Sequence, residues 1–493
     1  MDFPDLIANL RVDLDVDARN RKDVRGAEGG ASSGLAHSND DEQLNRLESI
    51  LMIHEEARAR QCEESCSEKH TSLKHNDRID LRALRQCVKD IVLNTDNYKM
   101  ERTRKRKASD RLAAHRGVVW RVLLGVIPSP SSLWKKELEK KRIQYRGFLK
   151  DFNFSDPTNR KRNSATKSSG SAVSALDVSL RKEKSTDGEI VLGISPSPVA
   201  IDHPLCDDAN SEWKSYFKDY DLMRQIESDV DRTHPDLSFF SEDESSEDTS
   251  STSSPKAAMR QMLFIYAKLN PGYKYVQGMN ELLAPIIYCY WECGFSNTHT
   301  QNSNLKKLNE LYGLQEYAEP DAFLSLLELL SEFRDFYCKQ LDNSSVGIKA
   351  ALTSLGVALA KYDPRLHHYL EHEICVTAQF YAFRWITLLF TQEFVFNEIL
   401  ILWDYLLADD RGRIECIIDM ACAMLLLIRN EILGGDFASN MKLLQNYPTG
   451  SISIRMIMIL TERLKGVSNL PDVRAKGVAN IVNSMVMEVK NLG

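Results

Sequence analysis

The stretch Met279-Asn280-Glu281-Leu282-Leu283-Ala284-Pro285-Ile286-Ile287-Tyr288-Cys289-Tyr290 decides the fold class. Its apolar residues Met279, Leu282, Leu283, Ile286, Ile287 and Tyr290 recur at three- and four-residue spacing, the period of one face of an α-helix. Just before it, Met259, Met262, Leu263 and Tyr266 form a second such stripe, stopped by Pro271-Gly272. Farther on, one long helix is expected from Ile414 to Leu433, ending at Gly434-Gly435, where a helix C-terminus is favoured. From Ala113 onward the chain reads as helix after helix, and strand-type alternation is scarce, so the expected fold class is all-α.

Upstream, Asp15 to Glu42 has almost no periodic hydrophobics and is expected to be disordered. Two helices are expected after it, one marked by Leu44, Leu47, Leu51 and His54, the other by Leu81, Leu84, Val88 and Ile91. Two polar inserts interrupt the helical body, Asn159 to Ala175 and Glu242 to Ser254, and Ser296 to Asn304 reads as a long loop. The expected organisation is an N-terminal extension over residues 1–110, a large helical domain over 111–450 with flexible inserts near 159–200 and 241–255, and a helical segment over 451–493 packing on that domain.

Composition narrows the function. A net charge of −7 from 63 basic and 70 acidic residues is small, which disfavours both a dedicated nucleic-acid binder and a polyanionic tail. A mean hydropathy of −0.35 beside 43% hydrophobic residues indicates a real core and a very polar remainder. No apolar run approaches the roughly 18 residues that span a bilayer, and the opening Met-Asp-Phe-Pro-Asp lacks a secretory signal. The ten cysteines are therefore expected to be reduced thiols in a cytoplasmic protein.

No phosphate-binding G-x-x-x-x-G-K-[ST] loop, dinucleotide-binding G-x-G-x-x-G unit, H-E-x-x-H pair or G-x-S-x-G elbow is present. His54, Cys62, Cys66 and His70 can be drawn as a metal site, since the spacing of Cys62, Cys66 and His70 places three ligands on one helical face. Structural zinc sites favour tight C-x-x-C knuckles, and no metal is expected. Cys289 and Cys293, one turn apart in an apolar helix, read as buried thiols. The basic run Arg102 to Lys107 has three readings, a nuclear import signal, a contact with anionic lipid, or a solvated face; lacking interleaved aromatics, it favours the last.

Three strings stand apart: Arg116-Gly117-Val118-Val119-Trp120, Ile226-Glu227-Ser228-Asp229-Val230-Asp231-Arg232-Thr233, and Tyr275-Val276-Gln277-Gly278-Met279-Asn280. In this order and helical setting the chain resembles the TBC domain, the helical domain of Rab GTPase-activating proteins. The strings match its R-x-x-x-W, I-x-x-D-x-x-R and Y-x-Q-G motifs. Phe383-Arg384-Trp385, Gln392-Glu393-Phe394 and Leu402-Trp403-Asp404 resemble the later helices of the family. The likeness covers roughly Ala113 to Pro448, and Asp202 to Leu205, Trp213 to Asp219 and Phe264 to Pro271 look most similar to the family's thirteenth-member subtype.

The resemblance implies an all-α domain that is not an enzyme by itself but completes the active site of a partner, a Rab-family small GTPase in its GTP-bound state, and so regulates vesicle trafficking. It implies that Arg232 is an arginine finger and Gln277 a glutamine supplied in trans, with Asp229, Ile226, Tyr275, Gly278, Arg116 and Trp120 in support. GTP and magnesium would belong to the partner, with no cofactor of the chain's own, no nucleic acid, and peripheral endomembrane association through the partner. The chemistry suits these residue types. A guanidinium is always charged and contacts two phosphate oxygens at once, and a carboxamide both accepts from water and donates to a phosphate without changing protonation.

Plainer readings stand beside these. Asp229 and Arg232 at helical spacing are commonly an exposed ion pair worth under about 1 kcal/mol. Gln277 would serve equally as a cap for the helix that begins near Gly278. Trp120, Tyr275, Trp385 and Trp403 read as core, with Arg116 and Arg384 holding that core to carboxylates or carbonyls. The alternative function is a non-catalytic TBC-type effector or scaffold, for which both Arg232 and Gln277 would be superfluous.

Overall fold

The structure is a computed structural model, and it describes residues 42–51, 78–93, 112–152, 211–241, 254–296, 315–337, 346–468 and 475–491. The expected disordered stretch before Glu42, the set His54, Cys62, Cys66 and His70, the basic run, and the inserts at 159–200 and 242–253 lie outside these residues, as do 202–205 and 297–304. The described chain is helical, without a β-strand. None of its helices is long and apolar enough to cross a membrane.

Two compact units are present, Met1–Leu112 and Ala113–Gly493. In the first, α1 (residues 42–51) and α2 (Leu81–Leu93) bury the faces that their periodicity marks: Leu47 and Leu51 on one, Leu84, Val88 and Ile91 on the other. Asp80 accepts from the backbone N–H groups of Arg82 and Ala83, at 2.9 and 3.0 Å, and so caps α2. Cys87 lies buried between the helices, its thiol pushed up to about 11 by desolvation.

The second unit begins with α3 (Ala113–Leu123) and α4 (Trp134–Asp151), followed by α5 (Glu212–Asp231), α6 (Pro255–Leu269), α7 (Met279–Ser296) and α8 (Gln315–Phe333). Then come α9 (Ile348–Tyr362), α10 (Pro364–His368), α11 (Ala382–Thr387), α12 (Phe396–Leu407) and α13 (Arg413–Leu427). The last are α14 (Arg429–Gly434), α15 (Phe437–Gln445), α16 (Ile454–Ser468) and α17 (Ala475–Lys490).

Two apolar helices organise this unit. Helix α7 is the stripe quoted at the outset, and α3, α5, α6, α8 and α12 pack on it. Helix α13 is buried all round from Met420 to Leu427, as a helix hydrophobic on every side must be, and α9, α11, α12, α16 and α17 pack on it. Helix α12 touches both and joins the halves. Helix α6 starts as its sequence directs: Pro255 stands in the first turn and Ser254 Oγ accepts from Ala257 N at 3.2 Å.

The expected single helix from Ile414 to Leu433 is two helices. The backbone leaves the helix at Ile428, with φ −104° and ψ 19°, and α14 starts afresh at Arg429. The redirection lets Arg429 reach the buried carboxylate of Asp363 and buries Ile432, two tertiary gains that a straight continuation forgoes.

Buried carboxylates tie the helices together. Asp404 on α12 accepts from Arg116 Nη2 at 2.6 Å, Arg116 Nε at 2.9 Å and Trp120 Nε1 at 2.7 Å, all on α3. Asp321 on α8 accepts from Arg121 Nε at 2.9 Å and from Arg142 Nε and Nη2 at 2.7 Å. Arg384 clasps Glu393 at 2.6 and 3.0 Å and donates to the Gln445 carbonyl at 2.9 Å, while Trp120, Trp385 and Trp403 are fully buried. The charges are paired and hydrogen-bonded, as buried charges must be.

Candidate functional site

The C-terminal end of α5 is anchored by Ile226 and Val230, whose side chains are fully buried. Between them Asp229 points inward, and Arg232 caps the helix with φ −87° and ψ −6°. Its guanidinium lies 2.7 Å from Asp229 Oδ1, yet the Arg232 side chain is 67% exposed and that of Asp229 only 6%. An ordinary exposed ion pair has both partners in solvent; here a buried carboxylate steers a solvent-facing cation.

The other oxygen of Asp229 holds the second motif. Tyr275 Oη donates to Asp229 Oδ2 at 2.7 Å, and burial beside that carboxylate raises the phenol well above its ordinary value. Asn280 Nδ2 donates to Thr233 Oγ1 at 2.9 Å and to the Asp229 carbonyl at 3.2 Å. The segment after α5 and the segment entering α7 are thus joined side chain to side chain. On the other flank, Asp231 is held from α6 by Arg260 Nη2 at 2.6 Å and, through its carbonyl, by Lys256 Nζ at 3.0 Å.

Gln277 stands two residues after Tyr275, exposed and without a hydrogen bond to any described residue. The capping alternative is not what forms: the first turn closes through backbone bonds, Met279 N to Val276 O at 3.1 Å and Glu281 N to Gly278 O at 3.0 Å. Gly278 is required where it stands. Its φ is +99°, and a Cβ there would lie 2.6 Å from Leu388 Cδ2. Leu388 opens a turn in which Leu389 and Phe390 also have positive φ, +50° and +62°. Trp403 Nε1 pins that turn by donating to Leu389 O at 3.1 Å, and Trp403 packs on Trp120 with ring centroids 5.7 Å apart. Arg116, Asp404, Trp120 and Trp403 therefore form a continuous buried support that reaches the backbone beside Gln277.

The structure brings together Arg232, Asp229, Ile226, Tyr275, Gln277 and Gly278, and it places Arg116 and Trp120 beneath them in the core. Sequence reasoning missed Thr233, Asn280 and Glu281 as parts of the site, although the first two end the quoted strings. Glu281, 13% exposed in the first turn of α7, is raised to about 7 by burial, with the Asp229 carboxylate adding to the effect. Among the described residues no group of three or more His, Cys, Asp or Glu is arranged to hold a metal ion. What the arrangement offers chemically is one solvent-facing guanidinium held by a buried carboxylate and one exposed neutral carboxamide.

Glu281 makes a pH prediction. Its folded-state value lies above the unfolded one, near 4.5, so the native state holds the extra proton between those values. Its contribution is therefore fully present below about pH 4.5 and lost as pH rises through about 7. Glu281→Gln is expected to flatten the fall in stability over that interval. Urea midpoints of both proteins from pH 5 to pH 8 check it, and parallel curves would contradict it.

The family model of the Rab-GTPase-TBC domain matches residues 206–433, which hold Arg232 and Gln277. TBC1 domain family member 13 of Homo sapiens is 31% identical over 389 residues, covering 68% of this chain and 86% of that protein, and its Mus musculus counterpart has the same figures. The crystal structure of the Ypt/Rab-GAP domain of Gyp1p matches with a TM-score of 0.49 and 18% identity over 85% of this chain and 95% of that one. On the identity and coverage of the member 13 proteins, together with the matching domain, the chain belongs to the Rab-GTPase-TBC domain family.

Proposed function

We propose that this protein accelerates GTP hydrolysis by a Rab-family small GTPase in the GTP-bound state, and thereby ends signals that direct vesicle traffic. Arg232 enters the partner's site and neutralises charge on the β/γ-phosphate oxygens. Gln277 orients the attacking water in place of the GTPase's own glutamine. GTP and magnesium are bound by the partner. The protein acts in the cytoplasm and at endomembranes through that partner.

The observation that supports this reading best is the single carboxylate of Asp229, which holds Arg232 through one oxygen and Tyr275 through the other. Preorganised donors do not have to be ordered during the reaction, which is where electrostatic stabilisation gains most. An exposed Arg held by a buried carboxylate and an exposed Gln on a braced stretch of backbone suit delivery into another protein's site better than they suit packing.

Single-turnover hydrolysis by a panel of GTP-loaded Rabs tests it, with wild type, Arg232→Ala and Gln277→Ala side by side. At least one Rab is expected to be accelerated by wild type and by neither variant. Tight binding of a GTP-loaded Rab without acceleration would replace this function with that of an effector or scaffold.

A further inference from the structure

Two residues beyond Arg232 the backbone adopts a conformation that L-residues avoid: His234 has φ +40°. Such a conformation is costly and persists only where its surroundings determine it. The surroundings here come from two helices. The imidazole stands edge-on to Phe396 at the start of α12, with centroids 4.7 Å apart, and lies 5.9 Å from Phe240. Its Nε2 is buried 3.5 Å from Glu281 Oε2 of α7, an approach too long and misaligned for a hydrogen bond, and its carbonyl accepts from Leu237 N at 3.0 Å. Phe396 in turn meets Tyr288 of α7 at 5.0 Å, so α7 and α12 grip the ring together.

Arg232 is a helix cap with no further turn behind it, so the direction in which the chain leaves α5 fixes its Cα. Thr233 is tied to Asn280, and His234 is the next fixed point. Glycine would adopt the same backbone without strain, yet it would offer nothing for Glu281 and Phe396 to hold. A strained histidine at this position is what a chain needs if the place of Arg232 matters more than the local cost.

We propose that His234 and Glu281 are positioning residues for Arg232: the Phe396 ring and the Glu281 side chain pack around the left-handed His234, and that packing sets where the guanidinium enters the partner's site. The inference rests on the reading of Arg232 given above. The two side chains are only 19% and 13% exposed, so the effect is expected on the chemical step and not on docking.

The test is single-turnover hydrolysis of an accelerated Rab against increasing concentrations of the full chain, for wild type, His234→Ala, His234→Asn, Glu281→Ala and Glu281→Gln. The alanine variants are expected to lower the limiting rate by up to about 100-fold, the scale of a misplacement near 1 Å, with the half-saturating concentration within about twofold. Asn tolerates positive φ, and Gln keeps the size and polarity of the Glu281 side chain, so both conservative variants are expected to recover most of the rate. An unchanged limiting rate in His234→Ala, or a rise in half-saturating concentration alone, overturns the positioning role. Equal losses in all four variants with a parallel drop in thermal stability overturn it as well, in favour of a purely structural pair. If wild type accelerates no Rab at all, the failure belongs to the reading of Arg232 itself.

Discussion

Replacing Arg232 by lysine is expected to lower single-turnover GTP hydrolysis on the accelerated Rab by on the order of 10³, almost as far as alanine does. Lysine keeps the charge, so only the geometry of the guanidinium is removed. Asp229 engages one Nη of Arg232 at 2.7 Å and leaves the rest of the planar fork facing solvent, where two phosphate oxygens can be met together. An ammonium is a point charge with a strongly held hydration shell and cannot serve Asp229 and two phosphate oxygens in one plane. Rapid-quench measurement of GTP cleavage decides the matter. Recovery of wild-type rate by lysine would show that charge alone suffices, and that the Asp229 contact has no part in catalysis.

The largest effect on stability is expected at Asp404. Its carboxylate is 1% exposed and accepts from both Arg116 and Trp120. Asp404→Ala leaves a guanidinium that is 3% exposed without its counter-charge, a change that typically costs about 3 to 5 kcal/mol. Removing both charges together, as Asp404→Leu with Arg116→Met, is expected to cost less than Asp404→Ala alone, because no uncompensated charge remains. Urea unfolding midpoints order the three proteins. A double variant less stable than Asp404→Ala would contradict the account of this site. Because Trp403 and Trp120 brace the turn beside Gly278, Asp404→Ala is also expected to slow hydrolysis more than its folded fraction explains.

Much of this was legible in the chain because helical periodicity is local. The apolar spacing in α6 and α7 and the Pro271-Gly272 stop required no tertiary knowledge, and the three motif strings marked Arg232 and Gln277 as they stand in sequence. What escaped reading depends on residues far apart. Arg116 and Asp404 are separated by 288 positions, and no pattern around Arg116 identifies its partner. Asp229 looks like half of an exposed pair until Tyr275, in the segment before α7, and Asn280, in its first turn, close over it. The break at Ile428 is hidden for the opposite reason: a segment apolar on every side carries no phase, so the point where burial of Ile432 and the Arg429 contact redirect the chain has no local mark. His234 and Glu281 were silent because strain appears only in backbone angles.

In the proposed mechanism this chain supplies both the arginine and the glutamine to a GTPase that would otherwise use its own. Single-turnover hydrolysis by a Rab whose own catalytic glutamine has been replaced by alanine tests it most directly, with wild type beside Gln277→Ala. Wild type is expected still to accelerate the altered Rab strongly, and Gln277→Ala to leave it at its intrinsic rate. Loss of all acceleration by wild type on the altered Rab would contradict it, because the glutamine would then come from the GTPase and Gln277 would not be part of the reaction.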